Sequence, residues 1–282
     1  MKLIAIDLDG TLLSSNGTIS KGNIKAIKEA QEKGHVVAIS SGRSLHDTKE
    51  IMRRATITCP IITGNGAKSL HQAEAIHNLH FTDQVLKSLM QILEKSGLYY
   101  EIYTKDGVLV EENGKSQLEE EIKQLDEMDP SWAEEIVEIQ YQQHGLKRVP
   151  GYADIDFTNK QVYKLFVMSF YKEELEKLRN QIAGRTDISI TTSGRQKLEI
   201  GHPEASKGHA LELIAEYFAV PMENTVAIGD NFNDLSMFEK AGMSIAMGNA
   251  EEEVKQQCTY VTGDHNDDGV AEALRKLVLD KS

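Results

Sequence analysis

Cysteine is nearly missing from this chain: Cys59 and Cys258 are the two among 282 residues, far apart and in no CxxC or metal-ligand spacing. That excludes a disulfide framework and a cysteine metal site, and it predicts free thiols in a reducing compartment. Basic charge is also short, with 31 Lys and Arg against 44 Asp and Glu, a formal net charge of -13. A nucleic-acid binder needs a basic face, so no nucleic-acid partner is expected. No apolar run approaches the span of a membrane helix, so no membrane partner is expected either. The start Met1–Asp7 is too short and too soon acidic for a signal peptide, which points to a cytoplasmic protein. Internal repeats and low-complexity tracts are absent.

What the chain has is β/α alternation. Leu3-Ile4-Ala5-Ile6, Val36-Val37-Ala38-Ile39, Pro60-Ile61-Ile62-Thr63, Thr225-Val226-Ala227-Ile228 and Ser244-Ile245-Ala246-Met247 are short continuous apolar runs. Such runs suit a parallel sheet covered on both faces. Between them, Ser20 is a cap for a helix that Gly34 stops, and Lys207 opens a helix running to Phe218. Near residue 83 the texture changes. Leu98–Tyr103, Lys105-Asp106-Gly107 and Val108–Val110 form an antiparallel hairpin signal. An acidic helix from Ser116 to about Met128, an Asp129-Pro130 break and a looser stretch through Gly151 follow. Strand, helix and strand come next, over Val162–Phe170, about Glu173 to Ile182, and Ile188–Thr192. The expected fold is α/β: a doubly wound, Rossmann-like parallel sheet over residues 1–82 and 197–282, interrupted by an inserted α/β domain over 83–196.

Chemistry-bearing groups collect where strands end. Ligands of open parallel sheets bind outside the strand carboxyl ends. Asp7 and Asp9 lie just past the first strand, in Asp7-Leu8-Asp9-Gly10-Thr11. A strand needs no such pair for stability, although Asp-Gly is also an ordinary turn signal. Ser41-Gly42 ends the second strand, where a hydroxyl and a helix N-terminal N–H can hold phosphate, although Ser41 also reads as a helix cap. Lys207 starts a later helix and taken singly is a solvated residue. Asp230, Asn233 and Asp234 follow the next strand, and Asp234 alone is a helix N-terminal acid. Taken jointly, on one sheet edge, they read as a site. One lysine among several carboxylates implies a further cation, and oxygen-only ligands indicate Mg²⁺. Three other patterns carry nothing: Gly64–Ser69 is a broken Walker loop, Asn16-Gly17-Thr18 is an unused sequon, and His77 with His80 lacks a third zinc ligand.

The four motifs, Asp7-x-Asp9-Gly-Thr11, Ser41-Gly42-Arg43, Lys207 and Gly229-Asp230-x-x-Asn233-Asp234, resemble those of the haloacid dehalogenase superfamily. The insertion is similar to the type IIB cap of the Cof-like phosphatases. The likeness extends over Asn65-Gly66-Ala67, Ala205–Gly208 and Met247–Ala250; Ser41 stands where Thr is commoner. The resemblance implies that Asp7 is a nucleophile forming an aspartyl-phosphate and Asp9 the acid and base. It implies Mg²⁺ held by Asp7, the Asp9 carbonyl and Asp230, with Asp234 in support. Leu8 N–H, Ser41, Gly42, Lys207 and Asn233 would contact the phosphoryl oxygens, with Arg43 and Asn65 toward the substrate. The implied reaction is phosphate release from a small phosphorylated metabolite; a phosphomutase and a catalytically idle binding protein are the alternatives. A cap hinged near residues 82 and 197 would govern access. Tyr99-Tyr100-Glu101-Ile102-Tyr103-Thr104, Ile139-Gln140-Tyr141 and Phe166–Leu175 resemble Cof-like enzymes acting on 5-amino-6-(5-phospho-D-ribitylamino)uracil.

Overall fold

A computed structural model describes residues 1–72, 74–125 and 129–279. The chain forms two compact units, Met1–Asn78 with Ala205–Ser282, and Leu79–Glu204.

In chain order the first unit begins with β1 (Leu3–Ile6), α1 (Lys21–Glu32), β2 (Val36–Ser40), α2 (Leu45–Ala55), β3 (Ile61–Thr63), β4 (Lys68–His71) and β5 (Glu74–Asn78). The second unit carries α3 (Asp83–Ser96), β6 (Tyr99–Thr104), β7 (Gly107–Glu111), α4 (Gly114–Lys123), α5 (Ser131–Tyr141), β8 (Leu146–Val149), β9 (Lys164–Met168), α6 (Lys172–Ile182), β10 (Ser189–Thr191) and β11 (Lys197–Gly201). The first unit resumes with α7 (Lys207–Tyr217), β12 (Thr225–Gly229), α8 (Leu235–Lys240), β13 (Met243–Ala246), α9 (Glu252–Lys255), β14 (Tyr260–Val261) and α10 (Gly269–Ala273).

Among the described residues, the sheet of the first unit runs β14-β13-β12-β1-β2-β3-β4-β5. From β14 to β3 every pairing is parallel, and β3, β4 and β5 pair antiparallel. The apolar runs are explained by burial on both faces. Along β1, Ile4 and Ile6 enter one core with Val37, Ile39, Val226 and Ile228, while Leu3 and Ala5 enter another with Ala38, Ile62 and Ala227. Side chains alternate across a strand, so a strand between two helix layers must be apolar throughout. Ser20 caps α1 by accepting from the Asn23 N–H at 3.0 Å. Cys59 and Cys258 are free, and no helix of the described residues is long and apolar enough to cross a membrane.

The second unit holds a mixed sheet in the order β10-β11-β9-β6-β7-β8. The hairpin expected from Lys105-Asp106-Gly107 is β6–β7. Four expectations are corrected. The stretch before Gly151 is not loose: it contains α5, which buries Ala133 and Val137, and β8, which pairs parallel with β7. The acidic helix starts at Gly114 and is helical through Lys123; its expected end near Met128 lies outside the described residues. Lys68–His71 and Glu74–Asn78 form the antiparallel pair β4–β5, for which no strand was expected. Finally, β11 lies beyond residue 196 yet pairs with β9 from Lys197 to Gly201, so this sheet extends past the expected crossing.

Candidate active site

Parallel pairing puts the carboxyl ends of β12, β1, β2 and β3 on one edge, and the loops leaving that edge build the site. The Asp7 N–H continues the β1 ladder by donating to the Ile228 carbonyl at 2.9 Å. The chain then turns through Leu8–Leu12, with Gly10 at φ 73°. A Cβ on Gly10 would sit 2.4 Å from Asp230 Oδ2, so only glycine fits there. Thr11 Oγ1 donates to Asp230 Oδ1 at 2.7 Å, and Asn249 Nδ2 donates to the Gly10 carbonyl at 2.8 Å. Two distant segments thereby brace the first loop.

Lys207 lies at the centre. Its side chain is fully buried, and Nζ donates to Asp7 Oδ1 at 2.6 Å and Asp234 Oδ1 at 2.5 Å. Ser206 caps α7 by accepting from the His209 N–H, which fixes where Lys207 leaves the helix. The other oxygen of Asp234 accepts from the N–H groups of Asp230 and Asn231 at 2.9 and 3.0 Å. Asp234 is thus committed to holding the turn and the lysine.

Arg43 forms a second cluster. It grips Asp9 as a fork, Nε to Oδ2 at 2.8 Å and Nη2 to Oδ1 at 2.6 Å, and its Nη1 donates to the buried Asp47. Ser41 Oγ accepts from the Arg43 N–H at 3.1 Å, and Ser44 rather than Ser41 is the α2 cap. A third cluster joins Asn65 to Asn233, whose Nδ2 donates to Asn65 Oδ1 at 3.2 Å; that same oxygen would lie 2.7 Å from a Cβ on Gly42.

Oxygens of Asp7, Asp230 and Asp234 lie within 4.8 Å of one another. Burial pushes the Asp7 carboxyl well above the usual range; Lys207 opposes, and Asp234, Asp230 and Asp9 add to the rise. Burial, then Asp234, pushes Asp230 up to about 7. Lys207 is held cationic: burial works against its charge, but Asp234 and Asp7 outweigh that. One ammonium therefore leaves anionic charge uncompensated. An oxygen-only donor set with that deficit fits a hard divalent cation such as Mg²⁺. The Asp9 side chain, gripped by Arg43, stands outside this group.

Every sequence-expected site residue falls on this edge: Asp7, Leu8, Asp9, Ser41, Gly42, Arg43, Asn65, Lys207, Asp230, Asn233 and Asp234. Sequence reasoning missed Asp47, in the first turn of α2, as the second partner of Arg43; its place four residues after Arg43 was the available signal. Thr11 carries no site role in the sequence reading, yet it holds Asp230. Its bond to Asp230 spans 219 residues and had no local signal.

The family profile of the haloacid dehalogenase-like hydrolases matches residues 4–274. The chain is 33% identical over 286 residues to Phosphatase YwpJ of Bacillus subtilis (strain 168), covering 99% of this chain and 100% of that protein. It is 34% identical over 286 residues to 5-amino-6-(5-phospho-D-ribitylamino)uracil phosphatase YwtE of the same organism, covering 99% and 98%. A solved haloacid dehalogenase-like hydrolase from B. subtilis superposes with a TM-score of 0.88 at 33% identity, covering 99% of this chain and 100% of that one. The chain belongs to the haloacid dehalogenase-like hydrolases. Within that family it is a phosphatase, as its curated relatives are.

Proposed function

We propose that this protein is a cytoplasmic, Mg²⁺-dependent phosphatase that works through an aspartyl-phosphate on Asp7. The observation that carries the reading is the Lys207 ammonium seated between Asp7 and Asp234, with Asp230 alongside. A carboxylate oxygen of Asp7 attacks phosphorus, the ester P–O bond breaks, and Asp9 gives its proton to the leaving oxygen. Asp9 then takes a proton from the water that attacks the acyl-phosphate, releasing inorganic phosphate and restoring Asp7. Lys207, Ser41, Gly42, Asn233 and the Leu8 N–H hold the phosphoryl oxygens, with Arg43 and Asn65 bearing on the substrate. Mg²⁺ would be held by Asp7, the Asp9 carbonyl and Asp230, with Asp234 in support, and would supply charge for the phosphoryl oxygens. Several groups must share the work, because accelerations for phosphate monoesters reach about 10²¹-fold and one lost oxyanion donor costs only about 3–4 kcal/mol.

The domain expected over 83–196 is assigned to substrate choice, and the favoured substrate is 5-amino-6-(5-phospho-D-ribitylamino)uracil. Likeness to YwtE supports it. The tyrosines do not: Tyr99, Tyr100 and Tyr103 are buried, and their rings pack on Tyr141, Tyr152 and Tyr163 of the same unit. The test is kcat/KM for this compound against erythrose 4-phosphate, ribose 5-phosphate and flavin mononucleotide. Preference for the ribityl compound is expected. If another substrate is favoured by about tenfold, roughly 1.4 kcal/mol of transition-state preference, the substrate assignment falls and the phosphatase reading stands.

A further inference from the structure

Three consecutive residues after β3 hold left-handed backbone: Gly64, Asn65 and Gly66 at φ 61°, 56° and 92°. Local preference does not sustain such a run, so surrounding contacts must fix it. One side is tied to the second loop, where the Gly64 N–H donates to the Arg43 carbonyl and the Asn65 N–H to the Ser41 carbonyl, each at 3.1 Å. The other side packs on the start of α7: a Cβ on Gly66 would lie 2.0 Å from the Ser206 carbonyl oxygen and 3.0 Å from the Lys207 nitrogen. The Asn65 side chain meets Asn233. A single turn therefore touches the three loops that bear Ser41 and Gly42, Lys207, and Asn233.

A further hold on this turn comes from His77, a residue that the spacing with His80 leaves without a role. Its Nε2 lies 2.7 Å from the Gly66 carbonyl oxygen and its Nδ1 lies 2.6 Å from Ser69 Oγ. A carbonyl only accepts, so Nε2 carries the hydrogen, and Nδ1 of the neutral ring accepts from the Ser69 hydroxyl. Cross-strand pairing fixes this geometry, since Ser69 of β4 stands opposite His77 of β5 and is fully buried. Burial holds the imidazole below the usual histidine range; the Gly66 carbonyl opposes that, and His209 on α7 adds to the lowering.

We propose that His77 is a positioning residue of the phosphatase reaction: by holding the Gly66 carbonyl it sets the turn that aligns the Ser41–Gly42 loop, Lys207 and Asn233 on one phosphoryl group. The inference rests on the phosphatase reading above and assigns His77 no contact with the substrate.

The test uses the full chain with Mg²⁺ and compares wild type with His77→Leu, His77→Gln and Ser69→Ala. Three quantities are read: kcat/KM for 4-nitrophenyl phosphate, the inhibition constant of inorganic phosphate, and the thermal midpoint. Displacing a site group by about 1 Å costs on the order of a hundredfold in rate. Loss of one carbonyl tether moves it less, so His77→Leu should lower kcat/KM and weaken phosphate binding by about tenfold each, well below its midpoint. In His77→Gln a side-chain N–H can again reach the Gly66 carbonyl and should recover most of both losses. A lower midpoint with both constants within about threefold of wild type means that His77 serves stability alone, and the proposal falls. Should His77→Leu fail to fold, Ser69→Ala decides by the same threshold, because it removes the hydroxyl that orients the ring and keeps the imidazole itself. Wild-type protein without phosphatase activity would remove the functional reading and this inference with it; an active wild type with an unimpaired His77→Leu removes the inference alone.

Discussion

Removing Mg²⁺ and raising the pH should weaken this fold, and Asp230 supplies a part of the effect that can be sized. Its carboxyl is pushed up to about 7, by burial first and Asp234 second, from an ordinary 3.8. The folded protein thus keeps a proton that the unfolded chain gives up near pH 4. That stability is complete below about pH 4 and is lost as the pH rises through about 7. Roughly three pK units at about 1.36 kcal/mol each set a ceiling of about 4 kcal/mol. Asp230 is only half-buried, and water screening brings the figure to about 2 kcal/mol. Asp7, raised by burial against the pull of Lys207, acts in the same direction. A cation among these carboxylates offsets the ionised form, so Mg²⁺ should stabilise more near pH 8 than near pH 5. At about 2–4 °C per kcal/mol, the difference in midpoint is about 4–8 °C. Thermal unfolding followed by circular dichroism, in excess EDTA or excess Mg²⁺ across this range, measures it. Asp230→Asn should reduce the pH dependence, with the part due to Asp7 remaining. An Mg²⁺ shift of equal size at both pH values, or Asp230→Asn as pH-sensitive as wild type, would refute the reasoning.

Lys207→Met leaves Asp7 and Asp234 facing each other without their buried cation, and urea denaturation of the metal-free protein should show a loss of about 3–5 kcal/mol; an unchanged midpoint would contradict the ion network. Asp9→Asn should slow turnover of an alkyl phosphate far more than formation of the intermediate from 4-nitrophenyl phosphate, whose leaving group needs little proton help. Equal losses in rapid-quench measurements on both substrates would count against Asp9 as the acid.

Much of the site was legible because parallel topology writes itself locally. Each buried run, such as Leu3–Ile6 or Thr225–Ile228, is apolar throughout and stops where polar residues begin, so the loops at the sheet edge stand out. The second unit was harder to read. In α5 only Ala133 and Val137 are buried while Trp132 and Ile139 are exposed, which blurs the helical period. Strand β8, Leu146-Lys147-Arg148-Val149, is a half-exposed edge whose sequence names no face. The β4–β5 pair carries polar Lys68, Ser69, His71 and His77, because Ser69 and His77 satisfy each other across the strands rather than enter an apolar core. Asp230 with Thr11, and Gly66 with His77, are bonds made by the fold, and no spacing in the chain announces them.

The central claim is that Asp7 carries the phosphoryl group. The most direct measurement incubates Asp9→Asn with Mg²⁺ and ³²P-labelled 4-nitrophenyl phosphate, quenches in acid and maps the label by peptide. With the leaving group needing no acid and the base for hydrolysis gone, close to one phosphoryl group per chain should be found on Asp7, and none in a second protein that also carries Asp7→Asn. Label on another residue, label that survives Asp7→Asn, or steady turnover by Asp7→Asn above about a hundredth of wild type, a barrier change under about 2.7 kcal/mol, would contradict the account.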